Sequence, residues 1–155
     1  MVTAALVDRM VDGYNRHDAD ALAACYAPDA SINPAGWPEE VDAATWLAAF
    51  GAILSSFPDL QIRPRNLVTN DRMAVLETRL TGTNTGPFRL GETDRLVLGT
   101  KAETLPATGR AMDITGTVVL EVADGQVTAE RHYWPLVDTL VQLGLIGSLP
   151  RQVPV

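Results

Sequence analysis

The sequence predicts an α+β fold in which helices lead and a curved, mostly antiparallel sheet follows. Three observations carry this. Apolar residues in the first third recur at helical spacing, residues 60–134 alternate with a period of two, and Asp124-Gly125 marks a hairpin near the end. A curved sheet closed by helices makes a cone, whose mouth is a natural small-molecule pocket. At 155 residues the chain has room for one core. A single domain is expected over 1–146, with 147–155 as an extended tail.

The first helix is read over residues 3–16 from the stripe Leu6, Val7, Met10, Val11 and Tyr14. Asp18 or Asp20 caps a second, short helix through Leu22, Cys25 and Tyr26, stopped by Pro28. Ala30–Asn33 reads as a short strand running into the turn Pro34-Ala35-Gly36. A third helix is capped near Asp42, carries Trp46, Phe50, Ile53, Leu54 and Phe57 on one face, and ends at Pro58. Leu60–Arg63 and Asn66–Val68 form one strand interrupted by Pro64, the mark of an edge or a bulge. Asn70-Asp71 turns into a long strand, Met73–Thr83. Residues 87–109 are read as one strand around Arg95–Leu98 and a loop over the site. Met112–Val122 and Val127–Trp134 form the final hairpin, with Met112, Ile114, Val118, Leu120 and Val122 facing in and Asp113 out. Pro135 opens a last helix, Leu136–Leu143, with Gly144 at its end.

Composition narrows the chemistry. A net charge of −7 from 19 acids against 12 bases disfavours a phosphate backbone as partner, so no nucleic acid is expected. No apolar run approaches the roughly 20 residues that span a bilayer, and residues 1–9 do not read as a signal peptide. No membrane partner and a cytoplasmic location are therefore expected. Cys25 is the one cysteine, and His17 and His132 are the two histidines. Neither a disulfide framework nor a zinc site is expected.

Several segments, taken in order, resemble the SnoaL-like polyketide cyclases within the NTF2-like, ketosteroid-isomerase-like group. They are Tyr14-Asn15-Arg16-His17-Asp18, Asn33-Pro34-Ala35-Gly36, Phe57-Pro58-Asp59-Leu60 and Thr81–Pro87. Ala107-Thr108-Gly109-Arg110, Asp124-Gly125-Gln126-Val127 and Gln142-Leu143-Gly144-Leu145 continue the series. The resemblance implies an NTF2-like conical barrel, commonly dimeric, whose pocket performs acid–base chemistry without a metal or an organic cofactor. In such cyclases a carboxylate removes an activated C–H proton, and hydrogen bonds hold the enolate. The resemblance also places a carboxylate seven residues before Gln142, where this chain has Pro135, an Asp at Asn33 and a His at Asn84.

Candidate catalytic residues follow from these departures. Asp138, one turn beyond Pro135, is either a replacement base or a solvated acid at a helix N-terminus. His132 suits proton shuttling near neutrality, and Tyr14 is either a donor to a substrate oxygen or a core phenol. Strict alternation puts Val127, Ala129, Arg131 and Tyr133 on one face and Thr128, Glu130, His132 and Trp134 on the other. If Val127 faces the core, Arg131 and Tyr133 line the cavity and His132 lies outside. Asn33, Trp37, Trp46, Phe50, Asn84, Arg131 and Tyr133 complete the expected substrate-binding wall. Apolar surface on the outer sheet face, assigned to Val119, His132 and Trp134, predicts a homodimer. The favoured function is cyclisation or isomerisation of an apolar, carbonyl-bearing, polyketide-like metabolite. An epoxide-opening hydrolase or cyclase in the same pocket, and a non-catalytic ligand-binding protein, are the alternatives.

Overall fold

Leu6, Val7, Met10 and Tyr14 fall on one face of α1 (Val2–Arg16), and all four are buried, so the helix forms by laying that face on the inside of the sheet. The structure is a computed structural model that describes residues 2–147; the expected tail lies, from residue 148 on, outside the described residues. His17 adopts φ 57° and ends α1. Asp18 then caps α2 (Ala19–Ala23), its carboxylate accepting the Ala21 N–H at 2.9 Å.

The second helix is shorter than its sequence suggests. Tyr26 already belongs to β1 (Tyr26–Asn33), which runs straight through Pro28. A proline is tolerated there because the pairing of β1 is irregular between Tyr26 and Ser31, so no ladder bond needs its missing N–H. After the short β2 (Val41–Asp42), α3 (Ala43–Ser56) starts on Asp42, which accepts the Thr45 N–H at 2.7 Å. β3 (Gln61–Thr69) and β4 (Met73–Thr83) follow, with the pairing shifted between Pro64 and Asn66 as the proline signals.

The segment after β4 departs from expectation. Where a strand is read around Arg95–Leu98, the structure has α4 (Glu92–Leu98), between the two-residue strands β5 (Phe88–Arg89) and β6 (Thr104–Leu105). Its ends explain the difference. The Asp94 carboxylate accepts the Gly91 N–H at 2.8 Å, and Gly99 takes φ 63°, the left-handed stop of a helix. The Thr93 hydroxyl donates to the Gly36 carbonyl and fastens α4 to the turn after β1.

β7 (Ala111–Ala123) and β8 (Gln126–Tyr133) complete the six-stranded sheet, ordered β2-β1-β8-β7-β4-β3, with β1 and β8 parallel and the other pairs antiparallel. Met112, Ile114, Leu120 and Val122 of β7 are buried, and exposed Asp113 pairs with Arg79. The last helix, α5 (Leu136–Gln142), is held to β7 by a two-way grip. Gln142 accepts the Asp113 N–H at 2.7 Å and donates to its carbonyl at 3.0 Å. No described helix is long and apolar enough to cross a membrane.

Asn84 forms the deepest clasp. Its amide donates to the carbonyls of Ser56 (3.2 Å) and Gly86 (2.9 Å), and its oxygen accepts from the Thr108 backbone (2.8 Å) and hydroxyl (3.1 Å). It joins α3, the loop after β4 and the approach to β7. Asn84→Ala strands several buried polar groups at once, so equilibrium urea unfolding should show a loss of about 2–4 kcal/mol.

Candidate active site inside the cone

Strict alternation fails in β8 at one residue. Val127 pairs with Val122 and Ala129 with Glu121, so Thr128 is an extra residue, a β-bulge. Beyond it the strand changes phase. Val127, Glu130 and His132 are all buried, whereas Tyr133 is exposed. The expectation that an inward Val127 sends His132 outward and Arg131 and Tyr133 inward is thus corrected. Arg131 instead pairs with Glu121 at 2.7 Å.

The bulge places a carboxylate in the interior. Glu130 is only 2% exposed. Its Oε2 accepts the Tyr26 hydroxyl at 2.5 Å, and its Oε1 lies 2.6 Å from His132 Nε2. The Tyr14 and Tyr26 hydroxyl oxygens are 2.9 Å apart, and the Trp46 indole N–H reaches the Tyr14 oxygen at 2.9 Å. Indole nitrogen can only donate, and Tyr26 spends its hydrogen on Glu130. The order is therefore Trp46 to Tyr14 to Tyr26 to Glu130, with His132 donating from the other side. Burial, reinforced by the Glu130 charge, pushes both phenols above their ordinary range. They stay protonated donors, which leaves the carboxylate as the acceptor at the end of the line.

Aromatic packing fixes these groups. Phe50 meets the Tyr14 ring edge-on at 4.8 Å, and His132 meets Trp46 edge-on at 4.6 Å. An inner cavity of about 40 Å³ lies beside them, walled by Tyr14, Leu76, Thr78, Val118, Glu130 and Trp134. A larger depression of about 730 Å³ lies chiefly over the outer sheet face, where Val68, Val75, Glu77, Thr117 and Tyr133 line it. The inner cavity is the one with a buried carboxylate in its wall, and it is the candidate site. No cluster of three or more metal-ligating side chains occurs among the described residues.

Of the residues singled out from sequence, the structure brings together Tyr14, Trp46, Phe50 and His132. Asn84 lies apart in the clasp, Arg131 is paired to Glu121, and Tyr133 borders the outer depression. Asn33, Trp37 and Asp138 are exposed. His132 and Trp134 do not contribute to an outer apolar face. His132 is buried, and Trp134 turns inward over Gly116. Sequence reasoning missed Glu130 and Tyr26. The i, i+2 pairing of Glu130 with His132 carried the first signal, whereas Tyr26 was absorbed into an apparent helix.

Comparison with known proteins follows the same lines. The profile of the SnoaL-like domain family matches residues 7–130. AclR, a candidate hydroxylase from Streptomyces galilaeus, superposes with a TM-score of 0.76 at 22% identity over 96% of this chain and 84% of its own. A candidate SnoaL-like polyketide cyclase from Jannaschia sp. CCS1 gives 0.76 at 22% over 96% and 94% of the two chains. IdmH, a candidate polyketide cyclase from Streptomyces antibioticus, gives 0.72 at 21% over 91% and 97%. At these identities they show a shared NTF2-like, ketosteroid-isomerase-like fold. No curated protein matches.

The raised phenols make a pH prediction. Unfolding releases Tyr14 and Tyr26 to ordinary values near 10, while the folded protein holds both protons. Stability contributed by the two is complete below about pH 10 and falls above it, by about 1.4 kcal/mol per pH unit for each phenol. In an alkaline titration, two of the three tyrosines should ionise only with the loss of folded circular dichroism, and Tyr14→Phe should remove one of them.

Proposed function

The chain belongs to the SnoaL-like domain family, and from that premise we propose that it performs acid–base chemistry, a cyclisation or an isomerisation, on an apolar carbonyl-bearing metabolite of polyketide type. One observation carries the reading: a carboxylate buried in the cone, fed by donors on both oxygens and bordering a cavity. The relatives described as candidate polyketide cyclases support the substrate class.

In this reading Glu130 is the base. With two donors in place its carboxylate keeps free lone pairs, and one of them takes the proton from carbon beside a substrate carbonyl. The electron pair moves into the carbonyl to give an enolate. Isomerisation follows when a proton returns to a different carbon, and cyclisation when the enolate carbon attacks a second carbonyl. His132, at Glu130 Oε1, is positioned to stabilise the carboxylate and to hold the proton in transit. Tyr26 and Tyr14 orient the base rather than accept protons. This assigns to Glu130 the task that the sequence suggested for Asp138, which stands on the exposed side of α5. The chemistry requires no cofactor.

We also propose a two-fold homodimer through the outer sheet face, where Val68 and Tyr133 remain 70% and 57% exposed beside Val75. Sedimentation equilibrium at tens of micromolar should give a dimer, and Val75→Arg should shift it toward monomer.

Deuterium uptake at the activated carbon of an apolar 1,3-diketone, followed by proton NMR in D₂O, tests the chemistry. Glu130→Gln keeps the shape and removes the base, and should slow uptake about 10²–10⁴-fold, with Asp138→Asn within a few-fold of the native rate. Unchanged uptake in Glu130→Gln sinks the reading. A protein that binds the diketone without accelerating uptake is a ligand-binding module instead.

A further inference from the structure

An inner cavity of about 40 Å³ holds little more than a water molecule, whereas metabolite sites ordinarily occupy several hundred Å³. A ligand that reaches Glu130 must displace part of the wall. Two neighbouring features of that wall show which part, and what the ligand meets there.

The first is Thr78, in the middle of β4. Its side chain lines the inner cavity, the residue is 1% exposed, and its hydroxyl has no hydrogen-bond partner among the described residues. A buried hydroxyl without a partner is costly, and native structures rarely keep one without a use. The second is Trp134, which lines the same cavity yet is only half-buried. Its indole lies flat on Gly116, so close that a β-carbon there would come within 2.0 Å of ring carbon Cε3. Gly116 is the residue paired with Thr78 across β4 and β7. A bare backbone floor, a flat ring resting on it and an unpartnered hydroxyl at its side therefore share one register position. Trp134 is also the last residue before Pro135 and α5, at a junction between elements rather than within one.

We propose that the Trp134 indole occupies the ligand's place, and that the Thr78 hydroxyl donates to the carbonyl oxygen of a flat, apolar ketone admitted when the ring swings aside. The glycine floor accepts a second planar surface as readily as the indole. Thr78 supplies a polar anchor not already committed to another group, unlike Tyr14 and Glu130 in the same wall. Glu130 borders the same cavity, so an anchored ketone presents its carbon skeleton toward the base. The proposal rests on the acid–base reading of Glu130 only for that last step; the binding site stands on its own.

Equilibrium dialysis with two probes tests it: 2-acetonaphthone, and 2-ethylnaphthalene, which has the same skeleton without the carbonyl. Trp134→Ala and the milder Trp134→Leu should each bind both probes at least tenfold more tightly than the native chain. Thr78→Val, nearly isosteric, should weaken the ketone five- to tenfold and leave the hydrocarbon unchanged. Because it deletes an unsatisfied group, the same variant should keep or raise the unliganded Tm, which a structural hydroxyl would not allow. No gain in either Trp134 variant overturns the proposal, as does a Thr78→Val variant that alters both probes alike or neither. Unfolding of both Trp134 variants would mark the ring as structural and overturn it too. These are binding measurements, so they fail or succeed independently of the deuterium uptake that tests Glu130.

Discussion

A carboxylate inside an apolar cone is tolerable only when donors surround it, and that requirement organises this interior. Glu130 sits on β8 and Tyr26 on β1; Tyr14 belongs to α1 and Trp46 to α3. One line of hydrogen bonds thus ties two strands to two helices, and each member satisfies the next. Leaving an ion like this without partners costs several kcal/mol. Any displacement that separates these elements meets that penalty, so the group suited to chemistry is also one that fixes how helices and sheet are seated. Phe50 and His132 pack edge-on against the same rings and remove the remaining freedom.

The motifs most visible in the sequence turn out to be clasps. The Asn15 side-chain amide donates to the Ile62 carbonyl at 2.9 Å while its oxygen accepts the Ile62 N–H at 2.7 Å, and His17 donates to the Leu60 carbonyl at 3.1 Å. Asp59 receives the Thr83 N–H at 2.6 Å and hydroxyl at 2.8 Å, Asn84 gathers three segments, and Gln142 locks α5 onto β7. Such joints demand particular polar residues at fixed turns, so they leave a pattern that one sequence displays. They specify the architecture and say little about the reaction. This is why the fold was legible almost throughout, while the chemistry was not.

The site was hidden for two physical reasons. Proline at 28 reads as the end of a helix, yet a gap in the β1 pairing lets the strand pass through it, and Tyr26 was lost to that reading. The strand bearing Glu130 was recognised, but its alternation is interrupted by Thr128, and a period-two rule cannot register an extra residue. The helix at 92–98 escaped for a related reason. It is short, its apolar Leu96 is 82% exposed, and its glycine ends look like loop punctuation until their geometry is known.

The bulge at Thr128 works as a frame shift within a strand. Upstream of it one parity faces the core; downstream the other does, although no side chain has changed. Drawing Thr128 into a regular ladder, with the bulge flattened, would restore uniform alternation and exchange the inward set, Glu130 and His132, for Arg131 and Tyr133, whereas deleting Thr128 would leave Glu130 and His132 facing inward. A carboxylate pocket would become a guanidinium and phenol pocket by the loss of one bulge, with every residue kept. In a cone of this kind, gaining or losing a bulge is thus a path between chemistries that substitution of the lining residues reaches only in several steps. Two relatives that align well along most of their length can line their cavities with opposite charge.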